Sequence, residues 1–210
     1  MPPKVKTEQE RLQTRIAILD AARELFVERS VEAVTMREIA RRVGYSPTAI
    51  YLHFRDKDAL IRELCDADFL TLAQELRAIE NIADPIERLH ALGVGYIRFA
   101  VSHPNHYRLL FMTPQVNCDP DHSGIETGNP EQDAYAHLRA MVEGAHAADK
   151  FRVELNDPGL IAQTLWAGLH GVCSLDIAKK QDCWVDWRPF EARVAQMQDT
   201  LLRGLLREPR

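Results

Sequence analysis

The chain has 210 residues, 46% of them hydrophobic and 27% charged, with a formal net charge of -5. That composition predicts one or two globular domains and excludes disordered, collagenous and low-complexity chains. Taken alone, the acidity argues against a protein that coats nucleic acid, whose electrostatic footprint is usually basic.

Helical periodicity dominates the chain. Ile16, Leu19, Ala22, Leu25 and Phe26 recur at spacings of three and four, which predicts one apolar helical face. Thr7 with Glu10 reads as a capping box for this helix, with its end near Glu28–Arg29. A short second helix is announced by Thr35-Met36-Arg37-Glu38 and runs through Ile39, Ala40 and Val43 to Gly44, a left-handed stop. Ser46 as N-cap and Pro47 at the first helical position open a third helix to about His53. Asp56 caps a longer fourth one carrying Leu60, Leu64, Ala67 and Leu70.

Pro85 opens a fifth helix with Leu89, Leu92, Tyr96, Phe99 and His103 along one face, and Pro104 begins a sixth to about Met112. Residues 114–131 hold three prolines and two glycines without hydrophobic period, which predicts a surface loop. Three further helices are expected over about Glu131–Ala147, Pro158–Lys179 and Pro189–Leu206. With about nine helices and no convincing strand, the fold class is all-α.

Cys65, Cys118, Cys173 and Cys183 form no C-x-x-C pair, so neither a zinc knuckle nor a thioredoxin-like site is indicated. The most apolar stretch, 160–178, is broken by Gln163, Thr164, His170 and Asp176 and does not read as a membrane span. The first eight residues hold no apolar core of a secretory signal. A soluble cytoplasmic protein is expected.

Function is carried by residues 35–60, TMREIARRVGYSPTAIYLHFRDKDAL. Two short helices meet across Val43-Gly44-Tyr45-Ser46, and Ile39, Ala40, Val43, Ile50 and Phe54 are spaced to pack them on the first helix. This is the pattern of a helix-turn-helix, whose second helix enters the major groove. Arg37 has the fork that grips guanine or phosphate, Thr48 offers a hydroxyl, and Ala49 and Leu52 are small apolar groups that can meet a thymine methyl. Tyr51, His53 and Lys57 can hydrogen-bond phosphates, with the helix N-termini at Thr35 and Ser46 adding backbone donors. An αα-corner inside a helical bundle is the competing reading.

The stretch from about Thr14 to Leu64 resembles the TetR family of transcriptional regulators. The likeness rests on Ala22-x2-Leu25-Phe26, Thr35-x3-Ile39-Ala40, Gly44-x-Ser46-Pro47 and Ile50-Tyr51-x-His53-Phe54-x2-Lys57-x2-Leu60. It implies a DNA-binding domain over residues 1–57, an effector-binding and dimerisation domain over 58–210, and a homodimer on a palindromic operator in double-stranded DNA. By position, it implies that Arg37, Thr48 and Ala49 read bases and that Thr35, Ser46, Tyr51, His53 and Lys57 position the backbone, with Pro47 opening the reading helix. Leu52 stands where the family often has an aromatic or polar residue. Trp166-x3-His170-Gly171 is similar to a signature of one family branch, as are His103-Pro104 and Leu109–Phe111.

Tyr96, Phe99 and His103 share a helical face, as do His137 with Met141 and Trp166 with His170. With Phe111 they are the candidates for an unidentified small-molecule effector site, although each also reads as plain core. The last two helices are the implied dimer contact, Gly168 and Gly171 allow close helix approach, and Trp184 and Trp187 could cover the bundle end. The functional expectation is a repressor released from its operator by a small molecule. A metal-responsive regulator using His103, His106 and Cys118, or a thiol-responsive one using Cys173 or Cys183, is the alternative. No catalytic residue, metal ligand or cofactor is assigned, because no nucleophile elbow, phosphate loop or H-E-x-x-H motif occurs.

The charge is unevenly placed. Residues 1–60 carry 11 basic and 9 acidic side chains, a net +2, whereas the remainder carries 15 and 22, a net -7. The acidity therefore belongs to the segment that is not expected to touch DNA.

Overall fold

A computed structural model describes residues 7–77, 79, 81–113 and 123–207. Among these residues the chain forms nine α-helices: α1 (Glu8–Arg29), α2 (Met36–Arg42), α3 (Pro47–Tyr51), α4 (Lys57–Arg77), α5 (Pro85–Ser102), α6 (Pro104–Met112), α7 (Ala134–Ala147), α8 (Pro158–Lys179) and α9 (Phe190–Leu205). The one β feature among them is an isolated antiparallel bridge, Phe151 with Leu206. No described helix is long and apolar enough to cross a membrane.

Most helix starts follow their capping residues. Thr7 and Thr35 each close a reciprocal capping box, with Glu10 and Glu38. Asp84, Asp133 and Asp157 each accept two backbone N–H groups at the starts of α5, α7 and α8. The cap at Asp133 explains why α7 begins three residues later than its apolar period suggests. The preceding residues close instead on the Asn129 carbonyl, which accepts from Gln132 and Asp133 at 3.0 and 2.8 Å. Likewise α3 ends at Tyr51 rather than His53, because the amides of His53 and Phe54 both turn back to the Ile50 carbonyl (2.8 and 3.0 Å). That tightening drives the Phe54 ring into the core, where it is 2% exposed.

The described residues divide into two compact units. The first holds those up to Asp68 together with those of 105–124; the second holds Phe69–Pro104 and those from Ile125 onward. In the first unit Ile18, Ala22, Leu25, Phe26, Ile39, Ala40, Ile50 and Leu60 form the core. Ile16, expected on this face, is 50% exposed, and Ile18 takes the inward position. The inward face of α4 is also rotated from the expected one. Ala67 and Leu70 are only half-buried, and Asp68 beside them has no exposed surface.

Asp68 is held from two other helices. Arg23 of α1 donates a two-pronged pair to its carboxylate at 2.6 and 3.0 Å, and His106 Nδ1 of α6 lies 2.9 Å from it. Burying a carboxylate is costly unless such partners replace its water.

In the second unit α5, α7, α8 and α9 bury Leu92, Phe99, Val142, Ala145, Ile161, Ala162 and Cys173. Gly168 lets α9 approach α8, since a Cβ there would sit 2.6 Å from Leu201 Cδ1, whereas one on Gly171 would meet nothing within 4 Å. Beyond α8, the Arg193 guanidinium stacks on Trp187 at 4.9 Å and donates to Asp176 at 2.5 Å, which pins the connection to α9. Trp187, expected with Trp184 to cover the bundle end, is half-buried under this guanidinium. Trp184 is 92% exposed and covers nothing among the described residues.

Candidate functional site

The α2–turn–α3 segment buries one side and presents the other. Ile39, Ala40 and Ile50 have no exposed surface, and Phe54 seals the exit. Gly44 adopts φ 74° in the turn, a left-handed conformation that a side chain disfavours. Thr35, Arg37, Ser46, Pro47 and Thr48 are exposed, as are Tyr51 and Leu52; Ala49, His53 and Lys57 are half-buried.

Several expected DNA contacts already have work inside the chain. The Thr35 hydroxyl caps Glu38 N, and Ser46 Oγ accepts from Ala49 N at 3.2 Å. Lys57 Nζ donates to the Val31 carbonyl, which leaves two of its three protons for another acceptor. The His53 carbonyl accepts from Arg15 Nη1 at 2.5 Å.

Arg15 is a positioning residue that the sequence reading missed. Its guanidinium forms a two-pronged pair with Glu63 of α4, lies 4.4 Å over the Phe54 ring and holds the α3 exit through His53. Nothing in the local pattern of α1 marks it, because its partners lie 38 to 48 residues away.

The basic side chains of the motif are not equally available. Arg42 is held by Glu24 and Glu28 at 3.2 and 3.0 Å, and Arg55 by Asp56 at 2.8 Å. Among the described residues Arg37 and Arg41 make no ion pair, so their charge faces solvent. The Arg29 guanidinium and the Thr35 amide and hydroxyl together hold the Glu38 carboxyl far below its ordinary range, at about 2. Glu38 therefore stays ionised and the cap at α2 stays closed at any physiological pH.

The effector candidates fall into two groups. In the second unit Trp166 Nε1 donates to Tyr96 Oη at 3.1 Å, and His170 Nδ1 lies 3.2 Å from the same oxygen. Burial lowers the His170 pKa and favours the neutral ring. Tyr135 packs against Trp166 with ring centroids 5.9 Å apart. Phe99, His137 and Met141 are buried core, and His103 is half-buried against Phe99, centroids 5.4 Å apart. Phe111 belongs to the first unit and packs on Tyr107 at 5.0 Å.

A groove of about 730 Å³ runs between α5 and α9, with Val94, Ile97, Val101, Phe190, Val194 and Leu202 among its walls. None of the eight candidate effector residues lines it.

The groups considered for sensing are separate. Among the described residues no three His, Cys, Asp or Glu side chains converge to hold a metal ion. Cys118 lies outside the described residues. Burial, with Asp176 nearby, pushes the Cys173 thiol up to about 12, so it carries no reactive thiolate at neutral pH; Cys183 is exposed.

Residues 18–64 match the family described as bacterial regulatory proteins, tetR family, and residues 89–201 match the tetracyclin repressor-like C-terminal domain. Solved structures share the fold. A protein of unknown function from a Rhodococcus species is 24% identical, with 99% of this chain and 100% of that one covered and a TM-score of 0.69. The TetR family regulator PfmR from Thermus thermophilus is 22% identical over 97% and 100% of the two chains, with a TM-score of 0.68. A TetR family transcription regulator from Marinobacter aquaeolei is 15% identical over 95% and 99%, with a TM-score of 0.72.

Proposed function

The chain belongs to the tetR family of bacterial regulatory proteins, DNA-binding transcriptional regulators rather than enzymes, and from that premise we propose that it is a ligand-responsive repressor. In this reading a homodimer holds a palindromic operator until a small molecule releases it. Residues 1–57 read DNA, and 58–210 bind the effector and form the dimer. Such a regulator works in the cytoplasm, where bacterial DNA is.

The observation that carries the reading is the exposed face of α2 and α3. Arg37, Thr48, Tyr51 and Leu52 stand in solvent while the opposite side of the same two helices is fully buried. Arg37, Thr48 and Ala49 are the base readers of this proposal. Tyr51, His53 and Lys57 contact phosphates, as do the helix starts at Thr35, Ser46 and Pro47.

Dimerisation through α8 and α9 is supported by the surface they leave uncovered. Leu160, Thr164, Ala167, Leu175 and Ala178 are exposed at spacings of three, four and eight along α8, an apolar stripe that the described residues of one chain leave open. Two-fold symmetry would then set the reading helices about 34–36 Å apart, or a multiple of that. For the effector we favour the second unit beside Tyr96, Trp166 and His170, where a few polar groups sit among aromatic rings.

The test is selection of bound sequences by the full chain from a pool of random duplexes. Enrichment of a palindrome with half-sites one or more turns apart is expected. No preference over random duplex would sink the proposal.

A further inference from the structure

The face that α3 offers is unusual in what it lacks. From Pro47 to the C-cap Leu52 it holds no amide, carboxylate, guanidinium or ammonium group. Two-pronged recognition of guanine or adenine needs a cationic or amide group, and accepting from cytosine N4 is the role of a carboxylate. Ile50 is fully buried, so the groups left to meet a base are Thr48, Ala49, Tyr51 and Leu52.

Leu52 is 83% exposed. A single exposed leucine is ordinary on a protein surface. The register makes this one informative. Leu52 keeps right-handed helical dihedrals, φ -73° and ψ -19°, so it continues the helix face four residues after Thr48 and three after Ala49. The isobutyl group, the Ala49 methyl and the Thr48 methyl therefore form one apolar patch on the exposed side of the reading helix. The apolar feature that a major groove offers such a patch is the thymine 5-methyl group.

We propose that Leu52 is a specificity-determining residue that, with Ala49 and Thr48, reads thymine methyl groups in each operator half-site. This rests on the DNA-binding reading above and names the chemistry it uses. Hydrogen-bonded recognition of guanine is left to Arg37 on α2.

The probe is the selected palindrome, synthesised with deoxyuridine in place of thymine one position at a time in both half-sites. Uracil keeps the base-pairing edge and loses only the methyl. One or two positions per half-site should then weaken binding by about fourfold per methyl, or about fifteenfold for the symmetric pair. Leu52→Ala, which exposes no core, should weaken binding to the thymine operator by a similar factor. It should also lose the response to deoxyuridine at the methyl that Leu52 covers, with unchanged helical circular dichroism. The inference is overturned if every deoxyuridine operator binds as tightly as its parent, or if wild type and Leu52→Ala respond equally to methyl removal. A selected half-site without thymine overturns it too. Failure to select any palindrome would strike the operator reading itself, whereas a palindrome indifferent to its methyls would strike only this inference.

Discussion

Asp68 illustrates how a residue can hold a fold together while reading as surface. Its carboxylate has no exposed area and is met by Arg23 from α1 and His106 from α6. Carboxylates at helical spacing normally face water, so the sequence pattern sets the apolar stripe of α4 beside it, at Ala67 and Leu70. Asp68→Asn should leave the buried Arg23 guanidinium with only the exposed Asp20 carboxylate, 2.7 Å away, as counter-charge. We expect a loss of about 3 kcal/mol in urea unfolding, read at neutral pH. Glu38 makes a pH-dependent contribution with a definite sign. Its carboxyl is depressed to about 2 in the folded chain from an ordinary 4.5, so the unfolded chain binds the proton first. The stabilisation is present above pH 4.5 and disappears as pH falls through about 2. The stability difference between wild type and Glu38→Gln should therefore shrink across that window and stay flat above it.

At the scale of elements, α2 and α3 were legible because their signals are local. A Thr-x-x-Glu box starts α2 and a glycine at φ 74° ends it; Ser-Pro then starts α3. The electrostatics of the same segment were not legible. Counting charges over 35–57 yields five bases against two acids, yet Arg42 faces Glu24 and Glu28 of α1 across the fold. A base already neutralised by two carboxylates releases few counterions on binding DNA. Arg37→Ala should therefore lower the salt slope of operator binding by about two for the dimer, one per subunit, and relax sequence preference. Arg42→Ala should leave the slope nearly unchanged. Fluorescence anisotropy of a labelled operator across a salt series separates the two, and equal effects would contradict this ordering of the bases.

For the molecule as a whole, the proposed homodimer makes operator affinity depend on two reading helices acting together. If α8 forms the proposed dimer contact, a charge introduced on its apolar stripe would be buried against the partner at considerable cost. Ala167→Glu should shift sedimentation from dimer to monomer, preserve the helical circular dichroism and abolish tight binding to the full palindrome while leaving weak half-site binding. A variant that stayed dimeric with intact affinity would move the interface elsewhere.

Local chemistry alone determined the all-α class, the capped starts of the helices, the reading motif and the uneven distribution of charge. Each depends on residues within one or two helical turns of each other. Tertiary structure decided what depends on distant neighbours. It turned Ile18 inward in place of Ile16, buried Asp68 and Arg23 together, and recruited Arg15 to brace the exit of α3. It also joined Tyr96, Trp166 and His170 through one hydroxyl and left Leu52 standing in solvent. A helical period states that a face exists. Which residue of that face meets a charge, a ring or water is settled by the helix packed against it, and that helix lies elsewhere in the chain.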